Sequence, residues 1–83
     1  MTKFSLEILL VLNENHIESP ATALSVGDIL ALMSQKQQKS YSTTFRHLGK
    51  LEKHGYVKCG LADGSAITYY ISDTGKLFCS ANL

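Results

Sequence analysis

The sequence is short of the features that mark scaffolded, membrane-spanning or catalytic proteins. Its two cysteines, Cys59 and Cys79, are too few for a disulfide framework and fit no CxxC or paired Cys/His spacing. Both read as small buried hydrophobes. The three histidines, His16, His47 and His54, are scattered and form no HExxH, so neither a metal site nor a zinc enzyme is expected. GxSxG, Walker, Rossmann-glycine and close carboxylate-pair patterns are all missing, which argues against an enzyme and leaves no cofactor to assign. The longest apolar run, Ile8 to Leu12, is far too short to span a bilayer, and Met1-Thr2-Lys3-Phe4 does not open a signal peptide. The expectation is a soluble, cytoplasmic chain without a membrane partner.

What is present suits one small folded unit. Eighty-three residues, 45% of them hydrophobic, allow a single domain over residues 1–83 with one core. The stability margin of so small a core is thin, and a homodimer would widen it. The net charge of +1 hides a segregation. Residues 34–58 hold Lys36, Lys39, Arg46, Lys50, Lys53 and Lys58 against Glu52 alone, a net +5, so the rest of the chain sums to −4. Basic residues gathered in one contiguous quarter of a sequence favour phosphate binding, although a solvated lysine-rich face would look the same.

Hydrophobic spacing gives the order of elements. Phe4, Ile8, Leu9, Val11 and Leu12 form a helical stripe stopped by Asn13-Glu14-Asn15. Ile17 to Leu24 is a connector, because Pro20 disfavours helix at Ser19. Ser25 is placed to cap a second helix to about Met33, with Val26, Ile29, Leu30, Leu32 and Met33 on its buried face and Asp28 near its positive end. Ser34 to Lys39 reads as a polar loop. Ser40 or Ser42 caps a third helix carrying Thr44, Leu48, Leu51 and Tyr41 at three- and four-residue spacing, and Gly55 ends it. The period then changes. Val57, Cys59 and Leu61 alternate with polar residues, Asp63-Gly64 turns the chain, and Ile67, Tyr69 and Ile71 alternate with Thr68 and Tyr70 to give a β-hairpin. Ser72 to Gly75 interrupts it, and Lys76 to Cys79 reads as one terminal helical turn burying Leu77 or Phe78.

Three helices followed by a hairpin, with the basic residues on the third helix and its approach, suit a rod presented to a DNA major groove, which is about 12 Å wide and admits one helix. With Thr44, Leu48 and Leu51 inward, Ser42, Thr43, Arg46 and Lys50 project outward. Ser42, Thr43 and Arg46 are the candidates for base contacts: Arg46 can give two parallel hydrogen bonds to guanine, and the short hydroxyls sit near the helix start. Lys36, Lys39, Ser40 and Lys50 are the candidates for phosphate contacts, which fix register without reading sequence. Tyr41 and His47 are further possible contacts, His47 otherwise being a polar surface residue. Phe45 reads either as half-buried against the second helix or as an exposed wedge against sugar or a thymine methyl, and Tyr41 is divided in the same way.

The stretch Ser40-Tyr41-Ser42-Thr43-Thr44-Phe45-Arg46-His47-Leu48-Gly49-Lys50-Leu51-Glu52-Lys53-His54-Gly55-Tyr56-Val57 resembles the recognition helix of bacterial winged-helix repressors of the ArsR, MarR and PadR types. Tyr69-Tyr70-Ile71-Ser72-Asp73-Thr74-Gly75-Lys76 resembles the segment that follows their hairpin. The resemblance implies an α+β winged helix-turn-helix fold of three helices, a two-stranded hairpin wing and a short C-terminal turn. It also implies a dimeric duplex-DNA-binding transcriptional regulator of the repressor kind. The hairpin loop Leu61 to Ala66 has no Lys or Arg where such wings often carry one, and Asp63 would oppose a phosphate. The loop between the second and third helices is longer than in the arsenic-repressor type, with Lys36 and Lys39 placed to compensate. No long C-terminal helix follows, so a small-molecule effector is not expected.

Two other uses of the same scaffold compete. One is a protein-interaction module, an antirepressor or small subunit, docking through Leu61, Ala62 and an exposed Tyr70. The other is a thiol or metal sensor built on Cys59 and Cys79.

Overall fold

Each helix begins at a side-chain hydroxyl. In the computed structural model, which describes residues 1–62 and 64–82, Thr2 accepts from the Ser5 amide ahead of α1 (Lys3–Glu14), and Ser25 accepts from the Asp28 amide ahead of α2 (Val26–Leu32). Ser40 accepts from the Thr43 amide ahead of α3 (Tyr41–Lys53), and Ser72 from the Gly75 amide ahead of α4 (Asp73–Ala81). Each cap occupies one of the orphan amides of a helix start. At the other end of α3 the chain turns out through Gly55, whose φ of 78° is a left-handed conformation that favours glycine.

Three short strands complete the domain: β1 (Leu24–Ser25), β2 (Val57–Cys59) and β3 (Thr68–Ile71). Their order is β1-β3-β2, all antiparallel, with Leu24 opposite Tyr69, and Val57, Lys58 and Cys59 opposite Ile71, Tyr70 and Tyr69. The sheet therefore has one strand more than the expected hairpin, since the end of the connector pairs with β3. Two residues are too few to show a strand period.

α1 lies at the centre, against α2, α3, α4 and β3. Ile8, Leu9 and Leu12 from α1 meet Ile29 of α2, Leu48 and Leu51 of α3, Val57 and Ile71 of the sheet, and Cys79 of α4 in one fully buried core. Each such aliphatic side chain contributes roughly 1.5–3 kcal/mol on burial. No helix among the described residues is long and apolar enough to cross a membrane.

Several expectations change. The C-terminal turn is a nine-residue helix that buries Gly75 and Cys79, leaves Phe78 half-buried and exposes Leu77. A Cβ on Gly75 would collide with the Tyr56 carbonyl, so a residue that looked like a loop breaker is where α4 presses onto the chain ahead of β2. Leu32 is exposed rather than buried, because its position around α2 is off the face that carries Val26 and Ile29. Cys59 is exposed and its thiol donates to Glu52 at 3.1 Å, while Cys79 is buried; both are free thiols. In β3 Tyr69 and Ile71 are buried as expected, but Thr68 is buried and Ile67 exposed, the Thr68 hydroxyl donating to the Leu61 carbonyl. Tyr70 is half-buried, not exposed. Gly64, at φ 62°, takes a turn conformation, but Asp63 and whatever it opposes lie outside the described residues.

Candidate nucleic-acid interface

The geometry of α3 follows from which of its faces the core claims. Thr44, Leu48 and Leu51 face inward, and Thr44 returns its hydroxyl to the Ser40 carbonyl at 2.8 Å. Ser42, Arg46, Lys50 and Lys53, at successive three- or four-residue intervals, are all exposed and make one row along the outer side. Among the described residues the one ion pair is Lys76 with Glu18 at 3.0 Å, so the cations of this row have no acidic partner there. Lys53 was not among the sequence candidates, although its spacing from Lys50 and Arg46 places it on their face.

Ser40 and Thr43 stand differently. The Ser40 hydroxyl accepts from the Thr43 amide at 3.2 Å and donates to the Thr43 hydroxyl at 3.0 Å. Thr43 is half-buried at the edge of the row, so both hydroxyls serve the helix start in this structure. Lys36 is exposed in the loop before α3, and Lys39 is exposed with its ammonium 5.6 Å from the centroid of the Phe4 ring. That loop is held by its glutamines. Gln38 donates to the carbonyls of Leu30 and Met33 at 2.9 and 3.1 Å, and the Ser34 amide donates to Gln37 at 3.2 Å. The two Gln38 bonds satisfy carbonyls at the end of α2, and together the three hold the loop that carries Lys36 and Lys39 ahead of α3.

His47 is a correction. It is 9% exposed rather than a surface residue: Nδ1 lies 2.8 Å from the Ser5 hydroxyl and 3.4 Å from that of Thr2, and Phe4 meets the ring edge-on with centroids 5.1 Å apart. Burial lowers its pKa, and the nearby positive charges of Lys50, Arg46 and Lys39 lower it further. Burial and these charges both disfavour the protonated ring beneath the cationic side of α3.

Tyr41 and Phe45, for which the sequence leaves both an inner and an exposed position open, are 59% and 45% exposed. They lie one turn apart, beside the Ser42–Arg46 row and toward the hairpin. The described hairpin-loop residues, Leu61, Ala62 and Gly64 to Ile67, carry no charge. No cluster of three or more His, Cys, Asp or Glu able to hold a metal occurs among the described residues.

The chain matches no family model and no curated protein in sequence. Its fold does match solved structures. The DNA-binding TubR fragment from Clostridium botulinum aligns over 100% of this chain and 98% of its own, with a TM-score of 0.77 and 24% identity. TubR from Bacillus megaterium pBM400 aligns over 93% of this chain and 80% of its own, with a TM-score of 0.76 and 19% identity. A candidate DNA-binding protein from Ralstonia eutropha JMP134 aligns over 100% and 98%, with a TM-score of 0.75 and 23% identity. At these identities the likeness is one of fold: the four helices and three-stranded sheet form the winged helix-turn-helix arrangement.

Proposed function

We propose that this protein is a sequence-specific duplex-DNA-binding transcriptional regulator, acting as a repressor in the cytoplasm, that lays α3 in the major groove. The observation that carries the reading is the exposed row of Ser42, Arg46, Lys50 and Lys53 on one side of a capped 13-residue helix, without an acidic partner among the described residues. Arg46 and Ser42 face base edges, Lys50 and Lys53 hold phosphates along the groove, and Lys36 and Lys39 grip the backbone ahead of the helix start. Ser40 and Thr43 act chiefly by fixing that start. The wing contributes little, for its described loop carries no cation. The fold it shares with the DNA-binding TubR fragment supports the same use. Binding as a homodimer would place two such helices on half-sites one helical turn apart, and occupancy would exclude other proteins from the same DNA.

Titration of labelled duplexes at several salt concentrations tests the proposal. Four or five phosphate contacts give a log–log slope of about −4. Failure to bind any duplex in a salt-dependent manner would remove it.

A further inference from the structure

Arg46 and the lysines leave one edge of α3 unaccounted for. Tyr41, Phe45 and Ile67 are 59%, 45% and 50% exposed, and together with Val26, Ser65 and Ala66 they line a concavity of about 240 Å³ between the first half of α3 and the base of the hairpin loop. None of these six residues carries a charge. Between this apolar edge and the cationic one lies Gly49, where an added Cβ would meet nothing within 4 Å. The fold does not demand a glycine there, and its absent side chain leaves the helix bare at the middle of its outward side.

We infer that the apolar edge reads thymine: C5-methyl groups in the major groove seat against Phe45 and Tyr41, with Ile67 closing the side toward the hairpin. The inference rests on α3 entering that groove. Of the four bases, thymine alone offers an apolar group there, and aromatic or aliphatic side chains are the ones that take it out of water. Phe45 and Arg46 are neighbours on adjacent faces, so the methyl it covers belongs to a base pair next to the one Arg46 addresses. Sites preferred by the protein therefore carry thymine beside the guanine bound by Arg46. The six residues lining the concavity offer no charge to an acidic or cationic partner surface, whereas a row of methyl groups matches them.

The experiment uses duplexes enriched from a random pool and resynthesised with deoxyuridine in place of thymidine, which removes the methyl and keeps the base pair. Each methyl lost should weaken wild-type binding roughly fourfold, the effect of returning one such group to water. Phe45→Ala should bind the thymidine and deoxyuridine forms alike, while Lys36→Ala keeps the discrimination. Because Phe45 is exposed, the variant retains its fold, which circular dichroism checks, and the wild-type comparison needs no variant. Equal wild-type affinity for the two forms, with salt-dependent binding intact, overturns the inference and leaves the DNA-binding reading standing. Loss of salt-dependent binding on every duplex removes both. A Phe45→Ala change that splits a dimer in the absence of DNA overturns it too, because the edge then faces a second copy.

Discussion

Two glycines on neighbouring parts of the fold show how far one atom's surroundings decide an outcome. Gly49 lies inside α3 with open space where a Cβ would go, whereas at Gly75 a Cβ would run into the Tyr56 carbonyl and Ile71. Gly49→Ala should therefore raise stability by about 1 kcal/mol through helix propensity alone. Gly75→Ala should lower it by about 1–3 kcal/mol through overpacking. Urea midpoints of the two variants check the pair, and a destabilised Gly49→Ala would mean that α3 is not a free-standing helix at that point. His47 supplies a pH dependence. Its imidazole is packed against Phe4, Ser5 and Thr2 from α1 and its approach, and faces the charges of Lys39, Arg46 and Lys50. Its pKa is lowered in the folded state, so the unfolded chain binds the proton more readily. Stability is fully present above the ordinary histidine value of about 6.5 and falls as the pH drops from there toward the lowered value. Unfolding measured from pH 7.5 to 5 should show a shallower decline in His47→Gln than in the wild type. Identical slopes would place His47 in water. From sequence alone its burial was not legible, because a polar residue flanked by Arg46 and Lys50 looks like part of a wet face; the hydroxyls that satisfy it come from residues more than forty positions away.

The elements were legible wherever a period or a cap ran long enough to register. The stripes of α1 and α3, the Ser25 cap, the Gly55 stop and the change from helix to strand after Tyr56 all have a local cause and all appear, although the expected alternation of Val57, Cys59 and Leu61 does not, since Cys59 and Leu61 are exposed. β1 did not register because its two residues take their strand character from pairing with Tyr69 and Thr68 across the chain. α4 did not register in full because Ser72, Asp73, Thr74 and Gly75 have the composition of a loop. Ser72 nonetheless caps a helix and Gly75 lets that helix approach the chain before β2. The α3 start shows what a cap is worth to the interface. Ser40 binds the amide and hydroxyl of Thr43, and its carbonyl receives the Thr44 hydroxyl. Ser40→Ala should cost about 1 kcal/mol of folding stability. Ser40→Asp, which keeps an acceptor at the cap and adds the charge a helix start favours, should restore it. The same pair separates capping from phosphate contact: a carboxylate that rescues stability repels a phosphate, so if Ser40 also touches DNA, Ser40→Asp binds duplex more weakly than Ser40→Ala.

At the scale of the whole molecule the useful quantity is the separation of charge, +5 over residues 34–58 against −4 elsewhere. The fold turns that segregation in sequence into a surface: Arg46, Lys50 and Lys53 share one side of α3, and the loop before it presents Lys36 and Lys39. Of the acidic residues outside the segment, Glu18 is taken by Lys76, and Asp28 and Asp73 sit in the first turns of α2 and α4. A surface of this kind orients the molecule toward any polyanion, which accounts for affinity but not for choice of sequence. Choice depends on side chains that reach base edges, and the two contributions respond differently to substitution. Arg46→Ala should cost about 1–3 kcal/mol on sites enriched from random duplexes and much less on unselected DNA. Lys36→Ala should weaken both by a similar factor and reduce the salt slope by about 1. Competition titrations of the two variants on enriched and random duplexes, each at several salt concentrations, measure both effects at once. Equal losses on the two kinds of DNA for Arg46→Ala would make it one more phosphate contact, and would move sequence reading to Ser42 and to the apolar edge at Tyr41 and Phe45.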